Sequence, residues 1–158
     1  MFEIKVMDHQ SAFHYIYNHA GLKSNKNFAV ISIQEYPKEM MGIQYKSGGH
    51  CKAAINMWFS DITDKTREDK EKYIKLITSE DATQIKLFVD SLDKESLDTL
   101  IVHCNMGISR SAAVAAAISK VLTGNDSEFF KGKFVPNMTV YYTVLRVFGF
   151  DNTPSFTR

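Results

Sequence analysis

Residues 103 to 111 read His-Cys-Asn-Met-Gly-Ile-Ser-Arg-Ser, which sets Cys104 six positions before Arg110. A thiol and a guanidinium at that spacing suit the capture of a tetrahedral anion. The backbone N–H groups of Asn105, Met106, Gly107, Ile108, Ser109 and Arg110 can curl around one such ion if the segment turns into a helix. A helix N-terminus leaves its first donors unpaired and carries partial positive charge. Gly107 permits the tight curl. The dipole, the N–H groups and the guanidinium all favour a charged cysteine, so Cys104 is expected to be a thiolate near neutral pH and a nucleophile toward phosphorus. Arg110 offers a planar fork to two phosphoryl oxygens and stabilises the charge that develops on them, which a lysine would do poorly. Ser111 can donate its hydroxyl to the Cys104 sulfur and ease thiolate departure from a covalent intermediate; its plainer reading is a helix cap. His103 precedes the nucleophile on a strand, so its side chain is expected to point away from Cys104 and to order the loop by hydrogen bonds. Ser109 also serves to hold the loop.

Two flanking elements must position this segment. Leu100-Ile101-Val102 is a short β-branched run that reads as a buried parallel strand, and Ser111 to Leu122 is a long alanine-rich stretch that reads as a buried helix. The rest of the chain alternates in the same way. Strands are expected over Phe2 to Met7, Phe28 to Ile33 and Ala53 to Phe59, with an irregular crossover over Glu35 to Cys51. Asp8 is placed to cap a helix to about Asn18, burying Phe13, Ile16 and Tyr17. Thr78 or Ser79 caps another to about Leu92, with Ile85, Leu87, Phe88 and Leu92 on its apolar side. Asp126 to Phe130 adds a turn, and Asn137 or Thr139 starts a last amphipathic helix to about Phe148. Between Asp61 and Lys75, ten of fifteen residues are charged, so this segment is a solvated loop or short exposed helix. The pattern predicts an α/β single domain, a central mostly parallel sheet of about four to five strands flanked by helices, over residues 1–150 with a tail at 151–158.

Composition narrows the partners. At 158 residues with a net charge of +1, the chain has the size of one domain and no charge excess to suggest a nucleic-acid or membrane-surface partner. The other cysteine, Cys51, leaves no disulfide framework to infer. Two cysteines, with no secretory leader and no apolar stretch of spanning length, point to a reducing, cytoplasmic setting. His50-Cys51 has no further ligands at metal-binding spacing, and no cofactor is expected. Tyr36, Tyr45 and Trp58 could wall an aromatic pocket, but aromatics in an α/β domain are more often core, and no role is assigned to them.

The loop resembles the His-Cys-x5-Arg-Ser signature of cysteine-dependent protein tyrosine phosphatases, and its surroundings are similar to the small bacterial and viral members of the dual-specificity type. The stretches AVISI at 29 to 33, FSDI at 59 to 62, SEDATQIKLFV at 79 to 89, TLIVHC at 99 to 104 and VPNMTVYYTVL at 135 to 145 follow the order seen in such proteins. The resemblance implies a protein-tyrosine-phosphatase-like fold and hydrolysis of phosphate monoesters on a phosphorylated protein or peptide through a cysteinyl-phosphate. It also implies a general acid on an upstream loop, which protonates the leaving oxygen and later deprotonates water. Asp61 is favoured, because Phe59-Ser60-Asp61-Ile62 is similar to the family's Asp-Ile pattern; Asp64, three residues on, stays open. Asn105, Met106 and Ile108 are uncharged where enzymes acting on highly phosphorylated inositol lipids carry lysines. A singly phosphorylated substrate follows, phosphotyrosine first, with phosphoserine and phosphothreonine open. Asn137 reads first as a turn and helix cap and, more sharply, as a brace for the catalytic loop.

Three rivals stand beside this reading. A rhodanese-like sulfurtransferase also places a cysteine at a strand-to-helix turn but needs no upstream acid. An arsenate reductase needs further redox cysteines near the loop, and only Cys51 is available. A non-catalytic phosphate-binding module would keep Arg110 and the N–H nest and lack a working acid.

Overall fold

Four of the runs marked by their apolar pattern form one parallel sheet in the computed structural model, which describes residues 1–20, 25–68 and 72–150. The strands are β1 (Glu3–Met7), β2 (Phe28–Gln34), β3 (Cys51–Trp58) and β4 (Thr99–His103), in the order β1-β4-β2-β3. Every pairing is parallel. Four helices complete the single domain: α1 (His9–His14), α2 (Ser79–Ser91), α3 (Arg110–Thr123) and α4 (Met138–Val147). The expected tail at 151–158 and positions 69–71 of the charged segment lie outside the described residues.

Strand alternation divides the core. Ala29, Ile31 and Ile33 of β2 and Leu100 and Val102 of β4 face the layer of α2, α3 and α4. Phe28 and Val30 of β2 and Ile101 of β4 point the other way, to Ala12 and Ile16 at the start of the chain. All five residues of β4 are buried, as expected of a strand between two neighbours and under helices on both faces.

Several expected details shift for local reasons. α1 gives way to a wider π-helical stretch over Tyr15–Ala20, and its buried positions are Ala12 and Ile16. Phe13 and Tyr17 sit on the adjacent face, exposed, with ring centroids 4.9 Å apart. On α2 the buried face is Ala82, Ile85 and Val89, spaced at three and four residues. Leu87 lies about 200° around the helix from Ile85 and is 60% exposed. β3 begins earlier than expected, at Cys51, where a bridge to Gly48 closes a turn, and it ends at Trp58. Beyond it the Phe59 carbonyl and the Ser60 amide bond to Arg110 and Lys75 and leave the ladder.

Thr78 caps α2 in a reciprocal box with Asp81, and Asn137 caps α4 by accepting from the Val140 amide. Among its described residues the charged segment holds one short turn of 3-10 helix, Lys65–Arg67, capped by Asp64.

Candidate active site

The predicted strand-to-helix turn is present between β4 and α3, at the carboxyl ends of the strands, where open parallel sheets bind ligands. Gly107 takes φ +68°, and a Cβ there would lie 2.6 Å from the Asp8 amide nitrogen and 2.7 Å from the Met7 carbonyl carbon. Both the dihedral and the backbone of the β1–α1 junction therefore demand glycine. The His9 amide donates to the Asn105 carbonyl at 3.1 Å and ties the loop to that junction. The far side is held by loop residues before α4: the Val135 amide donates to the Ile108 carbonyl at 3.0 Å, and the Asn137 amide to the Ser109 carbonyl at 3.1 Å.

Cys104 is 2% exposed, with its sulfur 3.0 Å from the Ser111 hydroxyl. α3 begins at Arg110 with Ser109 at the cap position, so Ser111 lies inside the first turn, fully buried. The plain capping reading of Ser111 thus gives way to a contact with the sulfur. Ser109 makes no side-chain cap either, because its hydroxyl is turned to Asp61.

Arg110 is 5% exposed and held at two points that spacing in the sequence did not reveal. One terminal nitrogen donates to the Phe59 carbonyl at 3.0 Å, and the other pairs with the Glu35 carboxylate. Among the described residues its Nε, also buried, has no hydrogen-bond partner. Glu35 comes one residue after β2, the strand beside β4, so its carboxylate reaches the first turn of α3. A carboxylate closing an apolar run is the available signal in the sequence, but only strand order shows which arginine it meets.

His103 is buried as an ordering residue. Its Nε2 lies 2.7 Å from the Ser32 hydroxyl, and its Nδ1 is 3.4 Å from the Cys104 carbonyl. Ser32 and His103 are register partners on adjacent strands. Two polar residues in otherwise apolar buried runs must find partners, and here they find each other. Burial above all pushes the imidazole down to about 4, so it is neutral at physiological pH.

Asp61 and Asp64 are separated by their contacts. Asp61 Oδ1 accepts from the Ser109 hydroxyl at 2.8 Å and from Asn137 Nδ2 at 2.9 Å, which sets the carboxyl against the cysteine loop. Asp64 accepts from the Thr66 amide at 2.9 Å and the Thr66 hydroxyl at 2.5 Å, and those bonds hold its carboxyl below the usual range. Asn137 caps α4 as expected, but its side-chain amide braces the Asp61 segment and not the cysteine loop, donating to Asp61 and, at 3.0 Å, to the Ile62 carbonyl; only its backbone N–H reaches the loop, at Ser109.

Cys51 is remote from the loop. Both Cys51 and Thr99 pair with Phe28, so Cys51 lies at the opposite end of the sheet, and the five residues from Thr99 to Cys104 span roughly 16 Å. That far exceeds the Cα separation of a disulfide, about 7 Å at most. Of the three unassigned aromatics, Tyr45 is core, Trp58 is partly buried under the Lys75 ammonium, and Tyr36 is half exposed against the Tyr73 ring.

No protein-family model matches the chain, and no curated protein sequence does. Solved structures do match in fold. PTPMT1, crystallised in complex with PI(5)P, aligns with a TM-score of 0.53 and 14% identity over 92% of this chain and 89% of its own. The human tyrosine phosphatase-like serine/threonine/tyrosine-interacting protein gives 0.52 and 17% over 81% and 85%. Tk-PTP in its active form gives 0.52 and 13% over 90% of each chain. Among the described residues no helix is long and apolar enough to cross a membrane.

Proposed function

We propose that this chain, whose fold is that of the protein tyrosine and dual-specificity phosphatases, is a protein phosphatase that hydrolyses phosphate monoesters, phosphotyrosine first among them, through a cysteinyl-phosphate. The observation that carries the reading is the Ser109–Asp61 hydrogen bond at 2.8 Å. It sets a carboxyl beside a loop that already holds a thiol and a buried arginine, which neither a sulfurtransferase nor a simple phosphate-binding module requires.

The roles follow from the contacts. The phosphoryl group sits in the N–H nest of Asn105 to Arg110, with the Arg110 fork on its equatorial oxygens. Glu35 and the Phe59 carbonyl fix the guanidinium, so its order is set before substrate arrives. Cys104 attacks phosphorus in line. Asp61 uses Oδ1 for Ser109 and Asn137, and its Oδ2 carries the proton to the leaving oxygen. The resulting carboxylate then takes a proton from the water that attacks the cysteinyl-phosphate. Ser111 donates to the departing sulfur. Asn137 is a positioning residue that acts through Asp61. The uncharged side chains of Asn105, Met106 and Ile108 suit a substrate with a single phosphate, and a chemistry that needs reduced Cys104 fits a cytoplasmic setting.

The test is turnover of para-nitrophenyl phosphate and of a phosphotyrosine peptide without added metal, with competitive inhibition by vanadate. Absence of turnover, or vanadate inhibition that substrate does not relieve, overturns the reading.

A further inference from the structure

We propose that a cavity of about 250 Å³ beside the cysteine loop is a subsite for an apolar side chain next to the phosphorylated residue. The inference rests on the phosphatase reading above and names where its peptide preference is set. Three observations carry it.

The first is continuity with the nest. Asn105, which follows the nucleophile, and Glu35, which pairs with Arg110, both line the cavity, so cavity and nest share a wall. Asp61 does not line it and binds instead at Ser109, further along the loop. The leaving oxygen is therefore served from the Ser109 side, and the Asn105 side is left for the polypeptide that carries the phosphate.

The second is chemistry. Ile33, Met41 and Ile43 are the aliphatic members of the lining, with Tyr36 beside them. The Glu35 carboxylate is engaged by Arg110 and so does not call for a cation from the substrate. No lysine or arginine is among the lining residues, so an acidic neighbour or a second phosphate would meet only the His9 imidazole and the neutral Gln34 and Asn105 there. An apolar side chain loses no hydrogen bond on entering and gains by leaving water. The volume lies below that of sites built for whole small-molecule ligands and suits one side chain.

The third is that the walls are built in advance. Gln34 Nε2 donates to the Ile43 carbonyl at 3.1 Å and to the Ser32 hydroxyl at 2.5 Å, which pins the crossover segment to the strand that orders His103. Gln44 Nε2 donates to the Lys38 carbonyl at 3.1 Å within the same segment. Tyr36 packs edge-on against Tyr73 with ring centroids 5.8 Å apart. Little ordering then remains to be done when substrate binds.

The test compares phosphotyrosine peptides carrying leucine, glycine or aspartate at each position flanking the phosphotyrosine. Para-nitrophenyl phosphate serves as a probe of the nest alone. The intact protein is expected to favour leucine over glycine at one flanking position by about 10-fold in kcat/KM. Gly42→Leu narrows the cavity at a site where a Cβ meets nothing within 4 Å, and Met41→Ala widens it. Each should erase most of the leucine preference and leave para-nitrophenyl phosphate turnover within about 2-fold, the latter also showing that the variant is folded. Equal preference in the variants and the parent, or no leucine preference in a parent that turns over para-nitrophenyl phosphate, overturns the subsite. So does a change confined to micellar PI(5)P with the peptides unaffected, which would assign the cavity to a lipid. A parent inert toward para-nitrophenyl phosphate would instead sink the phosphatase reading on which the subsite depends.

Discussion

The dipeptide His-Cys occurs twice, as His50-Cys51 where β3 begins and His103-Cys104 where β4 ends, and the two copies have opposite surroundings. Cys51 packs among Phe28, Val30 and Tyr45, its thiol 3.7 Å from the Ala53 carbonyl, and burial pushes that thiol's pKa up. Cys104 is as well hidden, yet its sulfur meets the Ser111 hydroxyl at the opening turn of α3. His50 shares a side-chain contact with Asn27 at the rim of the sheet, whereas His103 is locked between Ser32 and the Cys104 carbonyl. Burial and a preceding histidine therefore do not fix what surrounds a thiol. The carboxyl end of a parallel strand, followed by a tight turn into a helix, supplies the donors that the amino end lacks.

The sharpest way to break this comparison is to remove each sulfur in turn. Cys104→Ser is expected to lower kcat on para-nitrophenyl phosphate by about 10⁴-fold or more, because no other group on the loop can form the covalent intermediate. Substantial turnover in that variant would end the mechanism. The paired aspartates make the next test. Asp61→Asn should lower turnover of esters with poor leaving groups by about 10²-fold and spare activated aryl phosphates, as measured by the dependence of kcat/KM on leaving-group pKa. Asp64→Asn should cost little of that rate, since Asp64 caps the turn at Lys65–Arg67. The reverse pattern would move the acid to Asp64.

The buried histidine gives a smaller, pH-dependent effect. In the folded protein its pKa is pushed from 6.5 down to about 4, so the unfolded chain takes up the proton first as pH falls. Its neutral burial thus favours folding above about pH 6.5, and that contribution is lost as pH drops toward 4, by about 3 kcal/mol. Urea denaturation at pH 7 and pH 4 should show that extra loss in the parent and not in His103→Gln. Equal losses would mean that the imidazole is not the group responsible. The smallest effect is expected at the other cysteine. Cys51→Ala should leave turnover within about 2-fold and cost on the order of 1 kcal/mol in stability. A large loss of activity there would contradict its place some 16 Å along the sheet from the loop.

The strand-to-helix setting of the Cys104–Arg110 loop and the alternation of strands and helices were legible in the sequence, because both depend on residues close together in the chain. The Cys104 to Arg110 spacing, the glycine of the turn and the cap at Asp8 are local signals, as are the cap regions at 78–79 and 137–139, where the structure selects Thr78 and Asn137. Amphipathic faces are less legible. Phe13, Tyr17 and Leu87 were expected inside and lie exposed, because in a short helix and on a face shared with small residues the packing partner decides which side is buried.

What the sequence alone determined is therefore the Cys104–Arg110 loop, its strand-to-helix setting and the α/β class. Only the tertiary structure decided that Glu35 and the Phe59 carbonyl hold Arg110, that Ser32 meets His103, that Ser109 and Asn137 turn toward Asp61 and not Asp64, and that Cys51 is out of reach. The Arg110, His103 and Asp61 contacts join residues 48 to 76 positions apart. Their geometry is set by strand order and register, which no local spacing in the chain encodes.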